Sequence, residues 1–405
     1  MTAKSGSSTT MQEIMMTNDF QTGEVVATDE ISATASQYPL IALESGTKHS
    51  VTAYHFGEPG ARPKAYLQAG LHADEFPGML VLHYLRPMLE QAQQRGKLTG
   101  EIVLLPQANP LGLTQHHQGF LNGRYEAETG SNFNRDFPEL AATVGKKVAK
   151  KLGQDAQENI ALIRAEMATV LAAKRPKTAI DSLRNTLLTL AHDADLVFDL
   201  HADNEALVHM YTGPALWPDA SDIAAELDAR AILLADLSGG NPFDEACSAP
   251  WWQLAERFPD NPIPPACLAT TLELGSNDDV DIRQAQDQAA ALYRLLERRG
   301  VISGPEASAL PALRCEATPL AAMSQVKAPQ AGLVAYHLRL GDTVKKGDLI
   351  ATIIDPLKGS AEVLAETDGI LFARHSQTYA WPGKIIGKVA GSELLDRREG
   401  LLLSD

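Results

Sequence analysis

The 405-residue chain has only three cysteines, Cys247, Cys267 and Cys315, and they lack CxxC spacing. An odd, scattered set indicates neither a disulfide framework nor a thiolate zinc site, and points to a reducing compartment. Long apolar runs are missing too, since none reaches the ~18 residues a membrane-spanning helix needs. The opening stretch MTAKSGSSTTMQEIMMTNDF has no apolar core of a secretory signal. The expectation is a cytoplasmic protein with no membrane span. Basic charge is scarce: 35 Lys and Arg face 51 Asp and Glu, a net charge of −16, which argues against nucleic acid or an anionic membrane as partner. No HExxH motif occurs, so a zinc site borne on one helix is excluded.

What is present is the composition of a globular protein, 44% apolar and 21% charged, at a length that allows two or three domains. From about Lys64 to Gly300, short aliphatic runs alternate with amphipathic helical stretches, the pattern of an α/β domain with a largely buried sheet. KAYLQAG leads to His72, ADLVFDL leads to His201, and ACLATTLEL carries Glu273 near its end. Ligands of open α/β sheets bind beyond the carboxyl ends of the strands, so polar residues at three such ends converge on one crevice. Residues 139–193 have helical periodicity and few strand formers, and form an insert expected to act as a lid or an oligomer contact; their paired lysines read as a solvated face. The expected organisation is a polar extension with first strands over residues 1–45, a catalytic domain over 46–303, a proline-bearing linker over 304–325 and a small all-β module over 326–405.

The turn GLHADEFPG sets His72 and Glu75 three residues apart, on one side of a helical turn. Imidazole and carboxylate are zinc ligands, and a catalytic zinc takes three protein ligands and keeps a fourth position for water. FDLHADNEA offers His201 as the third. In NFNRDFP, Asn134 and Arg135 come together, an amide and a guanidinium fork suited to gripping a carboxylate. Glu273, on an otherwise apolar strand, suits a base beside water at the metal. Arg124, in a long turn-rich connection, suits stabilisation of an oxyanion. His116 and His117 are adjacent, diverge in direction, and are read as loop histidines.

Taken in order, GLHADEFPG, NPLG, GRYE, NFNRDFP, DLHAD and LELGS resemble the succinylglutamate desuccinylase/aspartoacylase family of the zinc carboxypeptidase clan, over about residues 60–300 and, through a C-terminal β module, almost to the end. The resemblance implies a mixed, mostly parallel sheet with helices on both faces. It implies one zinc per chain held by His72, Glu75 and His201. Glu273 matches the catalytic glutamate, which activates water at the metal and then protonates the departing amine. Arg124 resembles the arginine that polarises the scissile carbonyl, and Asn134 with Arg135 the pair that binds the substrate's carboxylate.

The expected reaction is hydrolysis of the amide of an N-acyl amino acid with a free carboxylate. The alternatives are a zinc carboxypeptidase and a catalytically inactive ligand-binding protein, and a homo-oligomer is compatible with all three. Three features depart from the pattern, one of them the helical insert of residues 139–193, longer than a minimal family member needs. Asp203 follows the third ligand, where it narrows or recharges the pocket. The tyrosine used by the clan's peptidases has no clear match, Tyr211 being the one candidate. The C-terminal module resembles a biotinyl/lipoyl-type β-sandwich, yet its candidate Lys358 sits in DPLKGS, without the sequence setting of a modified lysine.

Overall fold

The computed structural model describes residues 24–26, 34–42, 47–304, 309–395 and 402; most of the expected N-terminal extension lies outside them. A ten-stranded sheet is built from β1 (Glu24–Val26), β2 (Thr34–Pro39), β3 (Ser50–Phe56), β4 (Lys64–Ala69), β5 (Glu101–Leu105), β6 (Leu196–Asp203), β7 (His209–Thr212), β8 (Ala231–Leu234), β9 (Leu268–Ser276) and β10 (Ala317–Pro319). Their spatial order is β1-β2-β3-β5-β4-β6-β9-β7-β8-β10. The central run β5-β4-β6-β9 is parallel. Strand β7 runs antiparallel to β9, and β1 to β3 are antiparallel beside β5.

Alternation of side chains along these strands divides the core. Leu67, Leu104, Phe198 and Leu272 face one layer with α1 (Pro77–Gln94), while Tyr66, Val103, Val197 and Ala269 face the other. The insert supplies α2 (Ala141–Val148), α3 (Ala156–Ala173) and α4 (Ala179–Ala191) to the second layer, through Val144, Ile163, Met167, Leu183 and Leu187. The short α5 (Ser221–Glu226) lies in the first layer, α6 (Phe243–Arg257) in the second and α7 (Ile282–Arg298) against α1 in the first. A sheet buried on both faces explains why its strands read as near-continuous aliphatic runs. The insert is thus a layer of the fold, and no residue of it lines the cleft.

Part of the stretch expected as a linker is structured: Ala317–Pro319 forms β10, the last strand of the sheet, and Leu320 is buried beside it. Proline is tolerated there because an edge strand leaves one side of its backbone unpaired. Beyond it, two four-stranded antiparallel sheets follow, one of Ser324–Lys327, Ile385–Ala390, Gly369–Arg374 and Thr343–Val344, the other of Gly359–Leu364, Leu349–Asp355, Gly332–Tyr336 and Tyr379–Ala380. Lys358 lies at an exposed hairpin turn between two of these strands. No helix of the described residues is long and apolar enough to cross a membrane, and all three cysteines are free thiols.

The β module is joined to the sheet beside the crevice. Glu205–Ala206 pairs with Gly369–Arg374, and Phe372 packs with Tyr211, Leu233 and Leu320. Lys388 of the module reaches the Asp203 carboxylate, both side chains being largely buried. Burial alone would push Asp203 up, but Lys388, with His209, holds it well below the usual carboxylate range. Its stabilisation is therefore present above the unfolded value, ~3.9, and is lost as pH falls below it. Lys388→Met is expected to lower stability by about 2 kcal/mol by leaving a buried carboxylate without its partner. The double variant with Asp203→Asn should recover part of that loss. Denaturant midpoints at pH 7 and pH 3 check both statements.

Candidate active site

The site is assembled where β4, β6 and β9 end. After Ala69 the chain turns through Gly70, at φ +69°, and residues 71–76 form a turn in which Glu75 N–H donates to His72 O at 3.2 Å. His72 and Glu75 therefore stand on a turn that precedes α1, which starts at Pro77; the helical turn expected from their spacing is replaced by a tight loop. Two glycines permit this packing. A Cβ on Gly78 would sit 2.9 Å from Leu200 Cβ, and one on Gly123 would sit 2.5 Å from the backbone nitrogen of Asp74. The glycines of EFPG and of GRYE are thus required by close approach to the strand ends and to the turn.

His201 occupies β6, in register with Glu273 on β9, and Glu273 is in turn paired with His209 on β7. The two histidines and Glu75 are buried, with ligand atoms all within 4.8 Å of one another. Nδ1 of His72 is 2.9 Å from Glu75 Oε1, and Nδ1 of His201 is 2.7 Å from Glu75 Oε2. The opposite nitrogens are held by acceptors: His72 Nε2 lies 2.8 Å from Asn132 Oδ1 and His201 Nε2 lies 3.0 Å from the Asp199 carboxylate. An acceptor at Nε2 fixes the proton there and turns the Nδ1 lone pair inward, which is how outer partners orient histidine ligands. Two imidazoles and a carboxylate converging in this way fit a zinc ion, and these three residues would hold it.

The charges of His72 and Glu75 agree with that fit, and the proton of His201 is the one a metal would displace. Burial, with Arg124 facing it, pushes His72 down to about 4, so it is a neutral donor at pH 7. Against burial, Asp199 and Glu75 hold His201 well above its ordinary value. Glu75 stays ionised because His72 and His201 outweigh its desolvation. A buried relay continues outward, from Asp199 to Gln68 Nε2 at 2.9 Å and from Gln68 Oε1 to the Tyr66 hydroxyl at 2.7 Å. Replacing Asp199 by Asn removes the negative charge behind His201 and is expected to weaken metal affinity about tenfold. Competition with a chelator measures it.

The other expected residues line the same cleft, but in different company. Arg124 Nη1 donates to Glu75 Oε1 at 2.9 Å and lies 3.1 Å from His72 Nδ1, so its positive charge is directed at the ligand group itself. Asn134 is engaged twice: Oδ1 accepts from Phe243 N–H at 2.9 Å, and Nδ2 is 3.3 Å from His201 Nε2. Arg135 donates to Asn134 O and lines the cleft. Glu273 also lines it, with Oε2 free of hydrogen bonds among the described residues. Burial, then repulsion from Glu75, pushes Glu273 up to about 8. Tyr211 and Asp203 are in the cleft too, whereas His116 and His117 form an exposed hairpin with Phe120 and Leu121, outside it.

Several contributors escape reasoning from the sequence. Asn132 carries one histidine and also accepts from Asn134 N–H. Arg184 of α4 props that loop through Asn132 O at 2.8 Å and Ser131 Oγ at 3.1 Å. Its signal was an arginine amid the leucines of SLRNTLLTL, a charge on an apolar helix face. Asp199 is marked by its i, i+2 placement with His201 on one face of a strand. Lys388, Asp244 and Glu245 had no local signal.

Fold and site together define an α/β protein with helices on both sheet faces and a buried His-Glu-His group able to hold a metal. Residues 61–169 match the model of the succinylglutamate desuccinylase/aspartoacylase catalytic domain. No curated protein matches the chain by sequence. Among solved structures, a protein from Shewanella amazonensis SB2B named for that family has 28% identity and a TM-score of 0.77, over 88% of this chain and 98% of its own. One from Shewanella frigidimarina NCIMB 400, named likewise, has 25% identity and a TM-score of 0.78, over 89% of this chain and 98% of its own. The ectoine utilization protein EutE (DoeB) from Ruegeria pomeroyi, solved with product bound, shares the fold at 18% identity and a TM-score of 0.65, over 93% of this chain and all of its own. Both comparisons show a chain similar to the succinylglutamate desuccinylase/aspartoacylase family, in its catalytic-domain sequence over residues 61–169 and in its fold over most of its length.

Proposed function

We propose that this chain is a zinc-dependent hydrolase that cleaves the amide bond of an N-acyl amino acid, releasing a carboxylic acid and an amine. The observation that carries this is the pairing of the His72-Glu75-His201 group with a carboxylate, Glu273, that lines the same cleft and whose buried Oε2 has no hydrogen-bond partner among the described residues. The deacylase names of the two Shewanella relatives support the same class. Zinc held by the three ligands would supply Lewis acidity and make a water molecule acidic enough to ionise near neutral pH.

The chain's own groups do the rest. Glu273 accepts the proton of the attacking water and returns it to the leaving nitrogen. Arg124 opposes the negative charge that develops on the carbonyl oxygen. Arg135, with its neighbour Asn134, holds the carboxylate of the substrate and so fixes the amide in register. In this proposal residues 46–303 form the catalytic domain of a cytoplasmic enzyme, and the β module of residues 326–405 closes one side of its cleft through Lys388. Tyr211, which lines the cleft, favours a peptidase as the second reading. Amine release from a panel of N-acyl amino acids, run beside peptides with free C-termini, separates the two: the proposal expects turnover of the acyl amino acids at least about tenfold above that of the peptides.

A further inference from the structure

A guanidinium that recognises a carboxylate must be held in place, and Arg135 is held by a segment to which the chemistry above gives no role. Residues 238–243 lead from β8 into α6, and Ser238 and Pro242 line the cleft. The segment grips the loop that carries Arg135 on both sides of it. Phe243 N–H donates to Asn134 Oδ1 at 2.9 Å. Asp136 N–H donates to Gly240 O at 2.7 Å, Phe137 N–H donates to Asn241 O at 3.1 Å, and Asn241 Nδ2 donates to Phe137 O at 2.7 Å. The far end of the segment is tied to α6, where Glu245 Oε1 accepts from Ser238 N–H at 2.6 Å, and the Glu245 carboxylate attracts Arg135. Between these anchors the stem of Arg135 packs on Gly240. A Cβ there would come 2.5 Å from Arg135 Cδ and 3.2 Å from its Nε. Gly240 also stands at φ +74°, a conformation that side chains disfavour. Its carbonyl is bonded to the neighbour of Arg135, so an added methyl would displace the arginine stem rather than the segment.

We propose that Gly240 is a positioning residue for substrate recognition: its bare Cα lets the stem of Arg135 lie flush on residues 238–243 and so aims the guanidinium at the substrate's carboxylate. This rests on the amidohydrolase reading above. In the zinc-loaded full chain, kcat/KM is measured for N-acetyl-L-alanine, N-acetyl-L-norleucine and N-acetyl-L-glutamate, each beside its α-carboxamide. The wild type should prefer the acid to its carboxamide by about tenfold or more in the best pair. Gly240→Ala should bring that preference to within about threefold, mainly by raising KM for the acid. Gly240→Asn, whose residue type accepts a positive φ but carries the same Cβ, should do likewise. Gly60→Ala is the control for backbone strain, since Gly60 has φ +82° and nothing within 4 Å of an added Cβ, and it should keep the wild-type preference. In an Arg135→Ala background, Gly240→Ala should have no further effect on the preference, because the two residues act as one unit.

A preference that survives in folded Gly240→Ala and Gly240→Asn, or a wild type that hydrolyses acids and carboxamides equally, would overturn the positioning role and leave the hydrolase standing. Thermal unfolding of each variant accompanies the assays. Variants that unfold with Arg135 present and fold once it is Ala support the contact and the role built on it. Variants that fold in neither background assign Gly240 to the fold alone and overturn the proposal. If nothing is hydrolysed, calorimetry with the same acids and carboxamides separates the two failures. Tighter binding of an acid that is lost in Gly240→Ala would support the positioning role and sink the hydrolase. Equal binding of acid and carboxamide by the wild type would sink both.

Discussion

Glu273→Gln is expected to retain metal at the wild-type stoichiometry and to lose turnover by at least about 10³-fold. The amide has nearly the shape of the carboxylate, and Oε2 has no hydrogen bond to break among the described residues, so the fold should be undisturbed. Stability should be unchanged or slightly higher, because the variant removes a carboxyl that burial and Glu75 already push up to about 8. The chemical defect follows from what Gln lacks, a site that takes up a proton and gives it back. A fall in kcat with little change in KM is the signature of a group that acts only in the transition state. Single-turnover assays beside thermal unfolding check the statement. Full activity in this variant would remove Glu273 from the mechanism.

His72→Ala and His201→Ala are expected to lose both the metal and turnover, each by loss of one of three ligands. They should differ in stability. His201 lies between the Asp199 and Glu75 carboxylates, so its removal takes away the cation they share, leaving Asp199 with Gln68 and Glu75 with Arg124 and His72, and should cost about 3 kcal/mol. His72 is neutral and contacts a neutral amide on its far side, so its loss should cost less. The pH dependence of metal retention has a defined sign. Ligands must shed protons to bind, and His201 is held well above its ordinary value by Asp199 and Glu75, so affinity falls as pH is lowered. Metal content after dialysis against a chelator at pH 5 and pH 8 measures this.

Much of the site was legible because strand ends announce themselves. KAYLQAG and ADLVFDL are buried on both faces and read as aliphatic runs, so a polar residue just beyond them stands out. Glu273 was visible for the same reason, as a single charge in ATTLEL. The two histidines and Glu75 meet because β4, β6 and β9 are parallel neighbours, which brings their carboxyl ends to one edge. What the sequence concealed depends on contacts far apart in the chain. The insert of residues 139–193 has an amphipathic pattern that fits a lid as well as a layer, and only the packing of Val144, Ile163 and Leu187 against the sheet decides between them. Lys388 lies 185 residues from Asp203, on a strand whose alternation says nothing about its partner. Arg124 had a charge and a loop but no direction until Glu75 gave it one. The strand Ala317–Pro319 was hidden by its proline, since edge strands accept one and interior strands do not.

The central claim is that residues distant in sequence hold one zinc ion. Elemental analysis of untagged protein after reconstitution with zinc, on the wild type beside His72→Ala, His201→Ala and Glu273→Gln, tests it most directly. The account predicts about one zinc per chain in the wild type and in Glu273→Gln, and none in either histidine variant. A folded wild type that takes up no zinc, or histidine variants that keep it, would contradict the account.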